Sequence, residues 1–285
     1  VDVLKAFISV DLEGLPGVAS LTMVSPWSSQ FSIASKVMTR LVNATVDELF
    51  KNGFTEVLVA DSHGYMTNIN YLELDSRAGL IQGYPRPFSM LSGLDETFNA
   101  VFFIGYHAAA GTIHGMLDHT YSGRVFAEIR VNGVRASEFL INTLYASEQG
   151  VPAALLAGDE YLGSEVAAHT PWVVFIPLKK GISRYAAYYP SIDSVESRLR
   201  IGVREACSRV SKGDLRLLEF SKPYIVELSF RESLIADALE ALDLFERIDA
   251  YRVRFKAESA RKLLGVVEIA AYVGSSIINI AGNIK

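Results

Sequence analysis

A stretch from Ser35 to Asn52 carries apolar residues at helical spacing, Val37, Leu41, Ala44, Val46 and Leu49, and lies between two short apolar runs, Phe7 to Val10 and Thr55 to Ala60. Short apolar runs bounded by turn residues read as buried strands, and the intervening pattern closes at Asn52-Gly53 as helices commonly do. Strand, helix and strand in that order make a βαβ unit, which commits this part of the chain to a parallel sheet covered by helices.

The first run ends in charge. Phe7-Ile-Ser-Val-Asp-Leu-Glu-Gly14 sets Asp11 and Glu13 at the carboxyl end of a strand, ahead of Gly14 and a Pro16-Gly17 turn. In extended backbone the period of two would place both carboxylates on one face and turn Leu12 toward apolar packing. Two carboxylates so close repel each other, and a bound divalent metal relieves that repulsion. The second strand runs into Asp61-Ser62-His63-Gly64, a third, Ala100 to Ile104, into Gly105-Tyr106-His107, and a fourth, Ala153 to Ala157, into Gly158-Asp159-Glu160 and a helix. In a doubly wound sheet ligands bind beyond the carboxyl ends of the strands, so Asp11, Glu13, His63 and His107 can meet in one crevice.

Between the third and fourth strands lie His114, His119 and a hairpin, with Phe126 to Val131 as a strand and Asn132-Gly133 as a type I′ turn signal. Ser137 is placed to cap a helix from Glu138 to about Ser147, which leaves Glu138 in the first turn, where the helix dipole favours an acid. An isolated strand-end carboxylate usually faces water, and a lone histidine is usually a hydrogen-bonded core residue. Recurrence at three strand ends argues for chemistry instead, and Asp11, Glu13, His63, His107 and Glu138 have the make-up of a two-metal hydrolase site. Mixed imidazole and carboxylate ligands suit zinc, and also manganese or cobalt. Three carboxylates against two divalent ions leave one positive charge, which favours a hydroxide nucleophile. A glycine-bearing loop, Gly111-Thr-Ile-His114-Gly115, can fold either His114 or His119 over such a site.

Other motifs exclude rival chemistries. Asp61-Ser62-His63 is no serine-hydrolase triad, since neighbours on a strand point to opposite faces and no Gly-x-Ser-x-Gly elbow is present. Gly14-x-x-Gly17 lacks the lysine of a phosphate loop. A net charge of -5 without a basic cluster predicts no nucleic-acid partner. The single cysteine, Cys207, sits in a helical pattern and reads as a small core hydrophobe, in a chain expected in the reducing cytoplasm.

From Gly181 the texture changes to a helix from about Ser191 to Val210, a strand Tyr224 to Phe230, a helix around Leu234 to Leu244, a strand Ala250 to Phe255 and a helix Ser259 to Tyr272. The expected fold is α/β, a mostly parallel doubly wound sheet in residues 1–180 carrying the site, with a second, smaller α+β domain in 181–285 serving assembly. The second part holds no histidine, so no chemistry is expected from it. Its apolar tail, Leu263 to Ala281, is interrupted by Glu268, Gly274 and Ser275-Ser276, and reads as a packed helix with a short extended end rather than a membrane span.

Four segments, Ser9-Val-Asp-Leu-Glu-Gly14, Glu56-Val-Leu-Val-Ala-Asp-Ser-His63, Pro87-Phe-Ser-Met90 with Gly93-Leu-Asp95, and Gly105-Tyr-His-Ala108, together resemble the D-aminopeptidase family of the dipeptide-operon (DppA) type. These enzymes are zinc-dependent and often ring-forming. The motifs cover residues 9 to 138 in order, while the last third resembles the family only loosely. The resemblance implies two Zn2+ per chain, with Asp11 bridging, Glu13 and His63 on one metal, and His107 and Glu138 on the other. It also implies His119 as the catalytic histidine and a homo-oligomer of two stacked pentamer rings. The resulting expectation is a metallo-aminopeptidase that releases the N-terminal residue of short peptides, D-residues included. A two-metal phosphoesterase or amidohydrolase would use the same ligands, and a non-catalytic metal-binding module is the remaining alternative.

Overall fold

The apolar runs become strands wherever helices can cover both of their faces. In the computed structural model, which describes residues 3–284, β1 (Lys5–Val10) alternates Ala6, Ile8 and Val10 into one core and Phe7 into another. It is flanked in parallel by β2 (Glu56–Asp61) and by β4 (Ala100–Tyr106), with β3 (Ala78–Ile81) outside β2. Among the described residues the larger sheet runs β3-β2-β1-β4-β7-β8-β9, with β7 (Ala153–Asp159) and β8 (Val174–Ser183) parallel and a short β9 (Ala186–Tyr188) antiparallel at the edge. Strand order reverses between β1 and β4, which is where sheets of this kind open a crevice.

Helix α1 (Phe31–Lys51) starts a few residues before the expected Ser35, and with α4 (Ile192–Lys212) it covers one face. Cys207 is buried there on α4, as expected of a core residue. A second, antiparallel sheet lies over the other face, in the order β11-β12-β10-β5-β6. Its hairpin, β5 (Phe126–Val131) and β6 (Val134–Arg135), turns at Asn132 and Gly133 with φ of 52° and 80°, the left-handed pair that a type I′ turn requires. The remaining strands are β10 (Tyr224–Phe230), β11 (Glu246–Arg247) and β12 (Arg252–Ala257). This sheet therefore draws strands from both sides of residue 180, and α4 belongs to the larger sheet rather than to a separate carboxyl-terminal unit.

Between the layers run α2 (Glu138–Glu148) and the long α6 (Ala260–Ile284), with α3 (Gly163–His169) and α5 (Ser233–Glu240) at the periphery. Helix α6 continues unbroken past Tyr272, so the expected extended end is not formed. Leu263, Leu264, Val267, Ala270 and Ala271 bury one stripe of it while Ile269 and Ile280 stay exposed on the other. By length and composition α6 is the one described helix apolar enough to cross a membrane, and its buried stripe is spent on the protein core.

Candidate metal centre

Glycines let the ends of β1 and β4 approach closely enough for their side chains to meet. Gly105 has φ of 74°, and a Cβ there would lie 2.0 Å from the Asp11 carbonyl oxygen; a Cβ on Gly14 would lie 1.9 Å from that of Tyr106. The Asp11 amide donates to Ile104 (2.8 Å), and the Gly14 amide donates to Gly105 (2.7 Å). The Leu15 amide donates to the Leu12 carbonyl (3.1 Å) and closes residues 12–15 into a turn. Asp11 and Glu13 thus share a site because the backbone turns after Val10, not through the extended period-two geometry expected from the sequence.

Asp11 is the hub. Its Oδ1 lies 3.5 Å from His63 Nδ1, and its Oδ2 lies 3.3 Å from His107 Nε2. Glu13 Oε2 is 2.7 Å from His63 Nδ1, and Glu138 Oε2 is 3.5 Å from His107 Nε2. His119 stacks on His107 with ring centroids 4.2 Å apart and turns its Nε2 to Glu138 (3.6 Å) and Glu13 (4.0 Å). Ligand-capable atoms of His107, His119 and Glu138 lie within 4.8 Å of one another, and so do those of Asp11, Glu13 and His107. All six expected side chains are therefore brought together. His114, the rival to His119, is exposed outside the cleft at a φ of 61°.

Backbone groups aim each imidazole. His63 Nε2 is 2.9 Å from the Val24 carbonyl, His107 Nδ1 is 3.1 Å from that of Ala108, and His119 Nδ1 is 2.8 Å from that of Leu117. Donation to those carbonyls leaves the opposite nitrogen of each ring as the free lone pair facing the carboxylates. The Tyr121 amide holds Glu138 Oε1 at 2.7 Å, and Ser137 accepts from Leu140 N at 3.1 Å as the expected cap of α2. Lys179 on β8 is buried and donates to the carbonyls of Glu13 and of Val18 (2.8 Å), clamping the turn that carries Glu13. Asp61 is a loop anchor: it accepts from Ile69 N (2.8 Å) and from Asn68 Nδ2 (2.6 Å), which also reaches the His63 carbonyl (2.7 Å). Ser62 Oγ bonds Ser9 Oγ at 2.9 Å, away from His63, so no serine triad exists.

Burial and the neighbouring Glu13 charge push the Asp11 carboxyl up to about 8. His107 is pushed up to about 10, because Glu138 and Asp11 outweigh the opposing effect of burial, and His63 is raised likewise by Glu13 and Asp11. Burial and the His107 charge hold His119 below its ordinary value. A cluster that drives two imidazoles to hold protons is short of positive charge. Asp11 Oδ2 and His107 Nε2 are moreover buried without a hydrogen-bond partner although each faces the other. A carboxylate oxygen and an imidazole nitrogen left unpartnered, amid further carboxylates and imidazoles, make a ligand set that fits divalent zinc, which would take the place of the protons.

The cleft over these residues has a volume of about 180 Å³. Its far wall is formed by Tyr84 and by Glu268, Ala271 and Tyr272 of α6, with the Tyr84 and Tyr272 rings 5.6 Å apart. The last third, from which no chemistry was expected, thus lines the cleft. Lys179 and the Val24 carbonyl were also not foreseen. A lysine inside an apolar strand is a visible signal, whereas a carbonyl leaves none.

Residues 4–269 match the family described as D-aminopeptidase (Peptidase_M55). A D-aminopeptidase of Bacillus subtilis (strain 168) is 36% identical over 183 residues, covering 64% of this chain and 66% of that protein, just under two thirds of its length. Among solved structures, the Zn-dependent D-aminopeptidase DppA from Bacillus subtilis, a self-compartmentalizing protease, superposes with a TM-score of 0.90 at 28% identity, over 95% of this chain and 98% of that one.

Proposed function

The chain belongs to the D-aminopeptidase family, and from that premise we propose that it is a zinc-dependent aminopeptidase releasing the N-terminal residue of short peptides, with D-residues among its substrates. One observation carries the reading: Asp11 Oδ2 and His107 Nε2 are buried and unpartnered at the centre of a ring of carboxylates and imidazoles. The family name and the zinc dependence of the structural relative point the same way.

We assign two zinc ions per chain. Asp11 would be shared, since one of its oxygens faces His63 and the other faces His107. Glu13 and His63 would complete one site, and His107 and Glu138 the other. Manganese and cobalt accept the same donors. When bound, the metals polarise the scissile carbonyl and make water a nucleophile near neutral pH.

His119 is left for proton transfer. Its Nδ1–H is spent on the Leu117 carbonyl, and its Nε2 faces the cleft. A ring held below the ordinary histidine range is neutral at pH 7, so Nε2 can take a proton and return it to the leaving amine. The loop bearing it is held by Gly111 N on Asp118 (2.6 Å), Met116 N on Asp159 (3.1 Å) and Leu117 N on the Arg184 carbonyl (2.9 Å). That bracing keeps the imidazole over Glu138 instead of free in solvent.

The self-compartmentalizing relative supports a homo-oligomeric assembly, a decamer of two pentamer rings in our reading. The exposed apolar residues Leu242, Leu244 and Ile269, from the region after β10, offer it surface. A phosphoesterase or amidohydrolase would need the same donors, so substrates must discriminate. Protein purified without chelator should carry close to two zinc ions per chain and cleave D-aminoacyl p-nitroanilides in preference to L-forms, with aryl phosphates untouched. Metal-free folded protein, or turnover confined to aryl phosphates, would overturn the assignment.

A further inference from the structure

Three carboxylates of the cleft, Asp11, Glu13 and Glu138, face histidines at the strand ends, but a fourth comes from the opposite wall. Helix α6 docks by Leu263, Leu264, Val267 and Ala270, and that stripe leaves Glu268 and Tyr272, four residues apart on neighbouring turns, lining the cleft. Ser89 and Tyr272 line the cleft together with Glu268. Arg86 and Arg261 border the other side of Glu268, and the Arg86 guanidinium is committed elsewhere: Nε donates to the Ser89 carbonyl (2.9 Å) and Nη2 to that of Asp61 (2.7 Å). Among the described residues Glu268 forms no ion pair with any Lys or Arg. It is a half-buried carboxylate lining the reaction cleft without an ion-pair partner.

A peptide entering by its free end brings an α-ammonium, which loses water in so narrow a cleft and needs a compensating acceptor. The carboxylates around Asp11 have their charge engaged by imidazole, and by metal when it is bound. We propose that Glu268 is the anchor for the substrate's α-ammonium group, a specificity residue that selects free N-termini. This rests on the aminopeptidase reading of the same cleft. The site then has two walls: strand ends that act on the first carbonyl, and an α6 wall that holds the α-amine of that same residue. The first side chain falls against Met66, Tyr84 and Tyr121. An acylated terminus would bring no cation to Glu268 and would leave that carboxylate buried without a partner.

The test compares zinc-loaded wild type with Glu268→Gln, which keeps the shape but removes the charge. Binding of D-alanine hydroxamate and of propionohydroxamate, which differ only by the amine, is measured by calorimetry alongside turnover of D-alanine p-nitroanilide. The amine-bearing hydroxamate should bind wild type more tightly. Glu268→Gln should weaken it by roughly 10²-fold, the scale of removing one member of a desolvated charge pair, with propionohydroxamate within about twofold of wild type. Turnover of the anilide should fall mainly through KM. Equal weakening of both hydroxamates, or none of either, would overturn the proposal, the first by showing that Glu268 only shapes the cleft. A wild type that prefers the amine through Glu268 yet fails to cleave aminoacyl anilides would overturn the peptidase reading and leave the ammonium subsite standing.

Discussion

Each histidine of the cleft is aimed by one carbonyl, so its role can be separated by what is lost on removal. His63 and His107 each face Asp11 and a second carboxylate, and their replacement by Ala should lower zinc content and activity together. His119→Ala should retain both metals and lose about 10²-fold or more in turnover, the usual scale for a removed general acid or oxyanion donor. His114→Ala, at an exposed position, should be mild on both counts. Zinc content by atomic emission beside kcat decides it, and zinc lost from His119→Ala would make that residue a ligand. Glu268 is the corresponding case on the far wall, recognised by its place in the cleft without an ion-pair partner and not by any pattern around it in the chain.

At the level of elements, the site depends on how helix starts and strand ends are held. Ser137 caps α2 through Leu140 N and also donates to Glu165 on α3, so it fixes the first turn that carries Glu138. Ser137→Ala should cost about 1–2 kcal/mol in chemical denaturation, and zinc affinity should drop roughly tenfold, because a carboxylate on a frayed first turn is less well placed. Burial pushes the Glu165 carboxyl up to about 7, although the Ser137 hydrogen bond opposes this. Below the pKa of the unfolded state both states hold the proton, and Glu165 has no effect. Between there and about 7 the unfolded chain ionises first, so this residue lowers stability as pH rises, and the whole penalty is present above about 7. Glu165→Gln should therefore be more stable than wild type at pH 8, by roughly 1–3 kcal/mol, with the difference closing toward pH 5. Urea unfolding at the two pH values is the measurement, and a pH-independent difference would contradict it.

For the whole molecule, the cleft joins the two sheets: the candidate metal donors come from the ends of β1, β2 and β4 and from α2, and the far wall from α6. Metal binding to the folded state alone should then stabilise all of it by mass action. Exhaustive chelation should lower Tm by several degrees or more and restored zinc should return it, with light scattering at micromolar concentration reporting whether the assembly survives. The parallel sheet and the convergence of Asp11, Glu13, His63 and His107 were legible in the chain because they are local, a strand's apolar run ending where its chemistry begins, while Glu138 showed as a helix-start acid and His119 was preferred to His114 on the family resemblance. The second sheet was not so legible, and the expected division at residue 180 cuts through it, because the hairpin of residues 126–135 is recognisable locally but its partner strand, β10, lies far along the chain. The same holds for Lys179, which clamps a turn 166 residues away. In the sequence Glu268 only interrupts an apolar tail. Which face of that helix turns inward is set by docking a continuous stripe of Leu, Val and Ala against the core, and packing of that kind is decided by the folded layers together. Sequence alone thus determined which residues could bind metal; tertiary structure decided what stands opposite them, because a cleft has two walls and only one was written at the strand ends.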